Sequence, residues 1–182
     1  GLTKKEELNR VTNHLPQMRK KIAQLYIKAR TQTKGESRPN LIVVEQLLPE
    51  LLAMVVYLRK TTEENIRLYA SHQKEKLAKA KQEFVRLNKS YFSYKKILLE
   101  TLTLLQKPSR VIGIREEIIE DSNKTGNDEL KADSLKELAR TYLKLGNGKK
   151  AMTYLGECLE IAQKKKFKQL QARCSSELAQ AI

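Results

Sequence analysis

The side chains that most often do covalent or metal chemistry are few in this 182-residue chain, and their spacing does not suit it. The two histidines, His14 and His72, lie in helical patterns with no Cys or Asp at a useful offset. Cys158 and Cys174 stand 16 residues apart, without the CxxC or HxxxH spacing of a zinc site. Asp121-Ser122-Asn123-Lys124-Thr125-Gly126 begins like a calcium loop, with Gly at the sixth place. The twelfth place, where a bidentate Glu belongs, holds Ala132, so the stretch reads as a helix stop and a cap. No GxxxxGK[ST] loop and no dinucleotide fingerprint occur. The expectation is a chain that recognises other molecules and is not an enzyme, with no cofactor and no metal.

Charge is the other chemical signal. The chain carries 36 Lys and Arg against 21 Asp and Glu, a net +15 with a pI near 9.8. Lys74, Lys76, Lys79, Lys81, Arg86 and Lys89 form the densest basic run, and Arg19-Lys20-Lys21, Lys149-Lys150 and Lys164-Lys165-Lys166 add shorter ones. Two readings stand side by side. The lysines are a solvated helical surface, or they are an anion-binding face for phosphates or another anionic surface. Aromatics for base stacking are scarce, with 7 Tyr, 3 Phe and no Trp. Tyr91, Phe92 and Tyr94 cluster at helical spacing with Leu98, which reads as core.

These residues must be positioned by helices. Only 7 Gly and 4 Pro interrupt a composition rich in Leu, Lys, Glu, Ala and Gln, so the expected fold class is all-α. Thr3-Lys4-Lys5-Glu6 is a capping box. Beyond it Leu8, Val11, Leu15, Met18, Ile22, Leu25 and Ala29 alternate steps of three and four. That stripe packs on its own domain or on a coiled-coil partner, and Pro16 should kink it or start a second helix. Thr31–Asn40 reads as a linker, with Asn40 as the next cap. Leu41–Leu58 is apolar on nearly all sides and is expected at the centre of a bundle. Glu45, Gln46, Pro49 and Glu50 interrupt it, so no membrane span is expected. Thr61-Thr62-Glu63-Glu64 reads as a second capping box, opening a pattern that continues to Lys107 with its weakest point at Asn88-Lys89-Ser90. Pro108-Ser109 opens another helix, and Asp121–Asp128 reads as a loop.

The strongest pattern is Lys131–Ala162. Leu135, Leu138, Ala139, Tyr142 and Leu145 mark one helix; Ala151, Leu155, Cys158, Leu159 and Ala162 mark the next. Leu-Gly-Asn-Gly (Leu145–Gly148) turns the chain between them, with small residues Ala139, Ala151 and Cys158 where the backbones approach. This stretch resembles one tetratricopeptide repeat (TPR): Leu135, Leu138-Ala139, Tyr142, Gly146, Ala151, Leu155 and Cys158 fill that family's places in order. The closing proline is absent, with Gln163 near its place. Leu138-Ala139 and Leu178-Ala179 are 40 residues apart, and the same step backward lands on Leu98-Leu99. Tyr91–Asp121 therefore reads as a diverged repeat, Glu129–Lys165 as a clear one, and Phe167–Ile182 as the first helix of a third.

The resemblance implies antiparallel helix hairpins stacked as a TPR-like right-handed solenoid over residues 90–182, about two and a half repeats. Residues 1–89 would be an N-terminal helical bundle or cap with a long helix. It implies a non-catalytic protein–protein interaction scaffold or adaptor holding a partner helix or extended peptide, an acidic one included, in a concave groove. Lys136, Arg140, Leu143, Gln171 and Ser175 are the expected groove residues. The Lys, Asn and Arg clamp that some TPR arrays use on C-terminal carboxylates is not matched, because no Asn lies among these places. The alternatives are a basic helical protein binding nucleic acid or another anionic surface, and a structural subunit of a large cytoskeletal or multiprotein assembly. Without disulfide-framework spacing, both cysteines read as free thiols of a cytoplasmic or nuclear protein. A pattern still helical at Ile182 reads as part of a longer protein.

Overall fold

A computed structural model describes Gly1–Ala181; Ile182, in the third-repeat reading, lies outside the described residues. Among those residues there are seven α-helices and no strand. They are α1 (Lys4–Thr31), α2 (Lys34–Tyr69), α3 (Lys74–Leu104), α4 (Pro108–Thr125), α5 (Asp128–Lys144), α6 (Gly148–Lys164) and α7 (Lys168–Ala181). The protein is all-α, and the chain divides into two compact units, Gly1–Gln106 and Lys107–Ile182.

In the first unit α2 is central, with α1 and α3 packed on it. The α1 stripe buries Val11, Leu15, Ile22 and Ala29; α2 contributes Val44, Leu48, Leu51 and Val55, all fully buried, and α3 contributes Leu87, Leu98 and Leu102. Burying each such side chain is worth roughly 1.5–3 kcal/mol. By length and composition α2 is long and apolar enough to cross a membrane, and about a third of its apolar window is buried in the unit.

Several local expectations differ. The Thr3–Glu6 capping box forms in both directions, each bond at 3.2 Å. Thr61 and Thr62 do not start a helix; their hydroxyls donate to the carbonyls of Tyr57 (3.0 Å) and Leu58 (2.8 Å), one turn back inside α2. That back-bonding lets a Thr sit mid-helix without capping anything. The 31–40 stretch shrinks to Gln32-Thr33, because α2 starts at Lys34 and runs through Pro39 and Pro49, as α1 runs through Pro16. Asn88-Lys89-Ser90 is unbroken helix. Asn88 Oδ1 accepts from Arg59 at 3.0 Å, and that guanidinium lies 4.4 Å over the Tyr91 ring, so α2 holds the weak point of α3 together. The whole of α3 therefore belongs with α1 and α2, and the division falls after Gln106 and not at 89/90.

Tyr26 of α1 donates its hydroxyl to Glu100 of α3, and Arg30 flanks the same carboxylate at 3.8 Å. Burial first, then the Glu100 hydrogen bond and charge, push the Tyr26 phenol up to about 12. A raised phenol pKa means the folded state keeps a proton that the unfolded chain releases. This contribution is whole below pH 10 and is lost as pH rises toward 12. Discounted for partial exposure it amounts to about 1 kcal/mol. Urea unfolding across that window should show wild type losing this increment and Tyr26→Phe not losing it.

In the second unit each helix packs on the next: α4 on α5, α5 on α6, α6 on α7, with α5 also touching α7. The turns explain the regularity. Left-handed residues occur at Gln106, Gly126, Gly146 and Lys166 (φ 57°, 69°, 78° and 59°), each 20 residues after the last. At three of them the next amide reaches back five residues, Asn127 to Ser122, Asn147 to Tyr142 and Phe167 to Ala162, at 2.9–3.0 Å. This is the Schellman closure, which satisfies end carbonyls when a residue adopts αL. Asn127 and Asn147 then cap the following helices through Leu130 N (3.1 Å) and Lys150 N (3.2 Å). The expected 121–128 loop is thus only Gly126-Asn127, with Asp121, Asn123 and Thr125 inside α4.

Of the three turns closed in this way, the last carries Lys166 where the other two carry Gly. A β-carbon in αL costs about 1–2 kcal/mol, so Lys166→Gly should raise stability by about 1 kcal/mol and Gly146→Ala should lower it by a similar amount. Nothing lies within 4 Å of a methyl group built at Gly146, so its effect would be conformational alone. Thermal melts of the two variants should move in opposite directions.

Candidate protein-binding surfaces

The helix–helix seams of the second unit are built where the small residues fall. Ala139, Ala151 and Leu155 form one fully buried cluster, with Tyr142, Leu143, Tyr154 and Leu178 packed against it. Tyr142 and Tyr154 stack at 5.6 Å. Ala132, Leu135, Cys158 and Cys174 form a second cluster.

Cys158 and Cys174 are joined in a disulfide, with Cα atoms 6.6 Å apart. This corrects the reading of two free thiols. Each cysteine stands eight residues from Lys166, so the α6–α7 turn folds them face to face. Equal distance from a turn was the available signal; distance from each other carried none. Disulfides persist in oxidising compartments, so the free-thiol argument for a reducing one falls away.

The face shared by α4, α5 and α7 carries a charge network. Lys136 is 3% exposed, and its ammonium meets Asp133 at 3.2 Å and Glu137 at 3.6 Å. Arg140 reaches Glu137 at 2.9 Å and donates from Nε to Glu177 of α7 at 2.6 Å. Burial pulls the Arg140 guanidinium down, and the Glu177 hydrogen bond with the surrounding carboxylates more than offsets it, leaving it raised. Arg115 of α4 is held low by burial, against the pull of Glu137 and Asp133. Three cations and three carboxylates balance one another here. Lys136 and Arg140 are thus committed to carboxylates of their own chain.

The other groove residues fall in different places. Leu143 packs on the Ala139 cluster, Gln171 is half-buried, and Ser175 is exposed. None of these three lines the cleft of about 680 Å³ that lies at the first turns of α5 and α7. Leu130, Phe167 and Leu170 are its apolar lining, and Glu129, Asp133, Lys166, Lys168 and Arg173 are its charged lining. Sequence reading missed this cleft because Leu130, Phe167 and Leu170 belong to no stripe that it counted.

In the first unit Lys74, Lys76, Lys79, Lys81, Arg86 and Lys89 are all exposed. At about 100° per residue they spread around the solvent side of α3 and form no single row. Arg86 is held by Glu83 through Nε at 2.8 Å, and that hydrogen bond lowers the Glu83 carboxyl. Lys76 lies 5.7 Å over the Tyr69 ring. Gly1–Gln106 holds 21 Lys and Arg against 10 Glu and no Asp, whereas Lys107–Ile182 holds 15 against 11. The excess charge is a property of the first unit. His14 and His72 are exposed, and among the described residues no three His, Cys, Asp or Glu side chains are grouped to hold a metal ion.

The chain matches no protein-family model, and comparison with curated proteins gives no match.

Proposed function

We propose that this protein is a non-catalytic interaction scaffold, in which TPR-like helix hairpins stacked as a solenoid present a groove to a partner helix or extended peptide. What supports the reading is that α5 and α7 touch one another and share a cleft in which Leu130, Phe167 and Leu170 stand among charged side chains. First helices of stacked hairpins are the surface on which such arrays bind. Leu130, Phe167 and Leu170 anchor an apolar side chain of the partner, and Arg173, Gln171 and Ser175 flank it. Arg140 ties α5 to α7 through Glu177, while Lys136 is held within α5 by Asp133 and Glu137; an acidic partner would have to displace these carboxylates to reach them.

The test captures partners on the full chain and then titrates one captured partner against Leu170→Asp and Arg173→Glu. Arg173 is exposed, whereas Leu170 is half-buried against the cluster of Ala132, Leu135, Cys158 and Cys174, so the Leu170→Asp result is read on protein whose helicity by circular dichroism matches wild type. A loss of about 10-fold or more for Leu170→Asp is expected for an anchor residue. Unchanged affinity in both variants would remove the cleft from the binding surface.

The charge imbalance of the first unit favours a second reading, an anionic partner held by the α3 lysines. If about five phosphates were neutralised, log K would fall by about 4–5 per tenfold rise in salt. A nearly flat salt response would leave the cleft reading alone.

A further inference from the structure

The α2–α3 hairpin runs past the end of α1. Leu8 and Lys5 of α1 share a cleft with Tyr57, Thr61 and Glu64 of α2, so α1 begins beside Thr61–Glu64 while α2 continues to Tyr69. Between Thr62 and Ala80 no residue is buried. Tyr57, Thr61 and Glu64 follow steps of four and three, and the next step on that row is Leu68. The α1-facing row of α2 therefore continues beyond α1, and Leu68 at its end is 73% exposed. A Leu on the very row that elsewhere receives a helix is a packing position exposed among the described residues, unlike a scattered surface Leu.

The surroundings of the row are cationic. Arg67, Lys74, Lys76, Lys79 and Lys81 are exposed on the two helices there, against Glu63, Glu64 and Glu75. Lys76, seated over the Tyr69 ring, puts a positive charge at its edge. A second copy of this basic unit would bring like charges together. A polynucleotide would use the lysines and have no need of Leu68.

We infer that the projecting α2–α3 hairpin is a docking site for an acidic amphipathic helix of a partner, which lies in the line of α1. Its apolar ridge covers Leu68 and the half-buried Ile66 and Tyr69, and its Asp and Glu residues face Lys76 and Lys79. The inference rests on the first unit and is independent of the α5–α7 cleft.

The experiment uses the full chain and a fluorescein-labelled synthetic helix of about three heptads, with Leu at a and d and Glu at e and g. Binding is read by anisotropy. Leu68→Glu should weaken it at least ~10-fold, and Lys76→Glu with Lys79→Glu should do likewise. A peptide carrying Lys in place of Glu should recover affinity for the double variant, a rescue that a merely unfolded hairpin would not give. Lys20→Glu, on α1, should leave binding unchanged. Peptide binding indifferent to Leu68→Glu would overturn the proposal. So would polyuridylate binding more tightly than the peptide and equally well to Leu68→Glu, or sedimentation showing a dimer that Leu68→Glu dissolves.

Discussion

Leu155→Ala is expected to remove most of the stability of the α4–α7 unit. Leu155 is fully buried in the seam between Ala139 and Ala151, with Tyr142 and Tyr154 stacked beside it. Truncation there loses the transfer energy of the side chain and leaves a void that two close-packed backbones cannot collapse to fill. The cost is about 3–4 kcal/mol, of the order of the whole stability of a unit this small. Met152, on the same helix but 39% exposed, is the control: Met152→Ala should cost well under ~1 kcal/mol. The opposite perturbation tests the same seam. Ala151→Leu forces the helices apart and should cost about 1–3 kcal/mol. Urea unfolding followed by circular dichroism measures all three. A Leu155→Ala protein as stable as Met152→Ala would mean that α5 and α6 do not meet as described.

Reduction of the Cys158–Cys174 bond should produce the second large effect. The bond closes a short loop across the α6–α7 turn, and cross-links of that span limit the freedom of the unfolded chain by about 3 kcal/mol. It also ties down α7, which packs mainly on α6. A reductant should therefore lower the melting temperature of wild type by on the order of 10 °C. Cys174→Ala should melt near the reduced value and ignore the reductant. Mass analysis without reductant should find no free thiol in the wild-type chain. Two titratable thiols in the unreduced protein, with a melt insensitive to reductant, would refute the pairing.

The two effects act on neighbouring seams and should not add. Leu155 and Cys158 lie one turn apart on α6, facing α5 and α7, so loosening one seam relaxes the other. The double perturbation should cost less than the sum of its parts.

Local patterns in the chain determined the helical class, the Thr3–Glu6 cap, the central role of Leu41–Leu58, and the turn at Gly146. Each depends on residues within a few positions of one another, where period and capping chemistry act. The small residues Ala139, Ala151 and Cys158 were legible for the same reason: a stripe with a gap in it shows where another backbone comes close. Left-handed residues do recur 20 apart at four turns, but the diverged repeat Tyr91–Asp121 read from the 40-residue step is divided between the two units, because α3 packs with the helices of the first.

What the tertiary structure decided was everything that depends on a partner helix. Thr61 and Thr62 look like caps until their hydroxyls turn inward, and Asn88-Lys89-Ser90 looks like a break until Arg59 crosses from α2. Lys136 and Arg140 look like free cations until Asp133, Glu137 and Glu177 are brought against them. Cys158 finds Cys174 only because a turn lies midway between them. Charges, hydroxyls and thiols act through space over a few ångströms. Their partners lie 37 residues away in sequence for Arg140 and Glu177 and 74 for Tyr26 and Glu100, and only the folding of one helix onto another makes them neighbours.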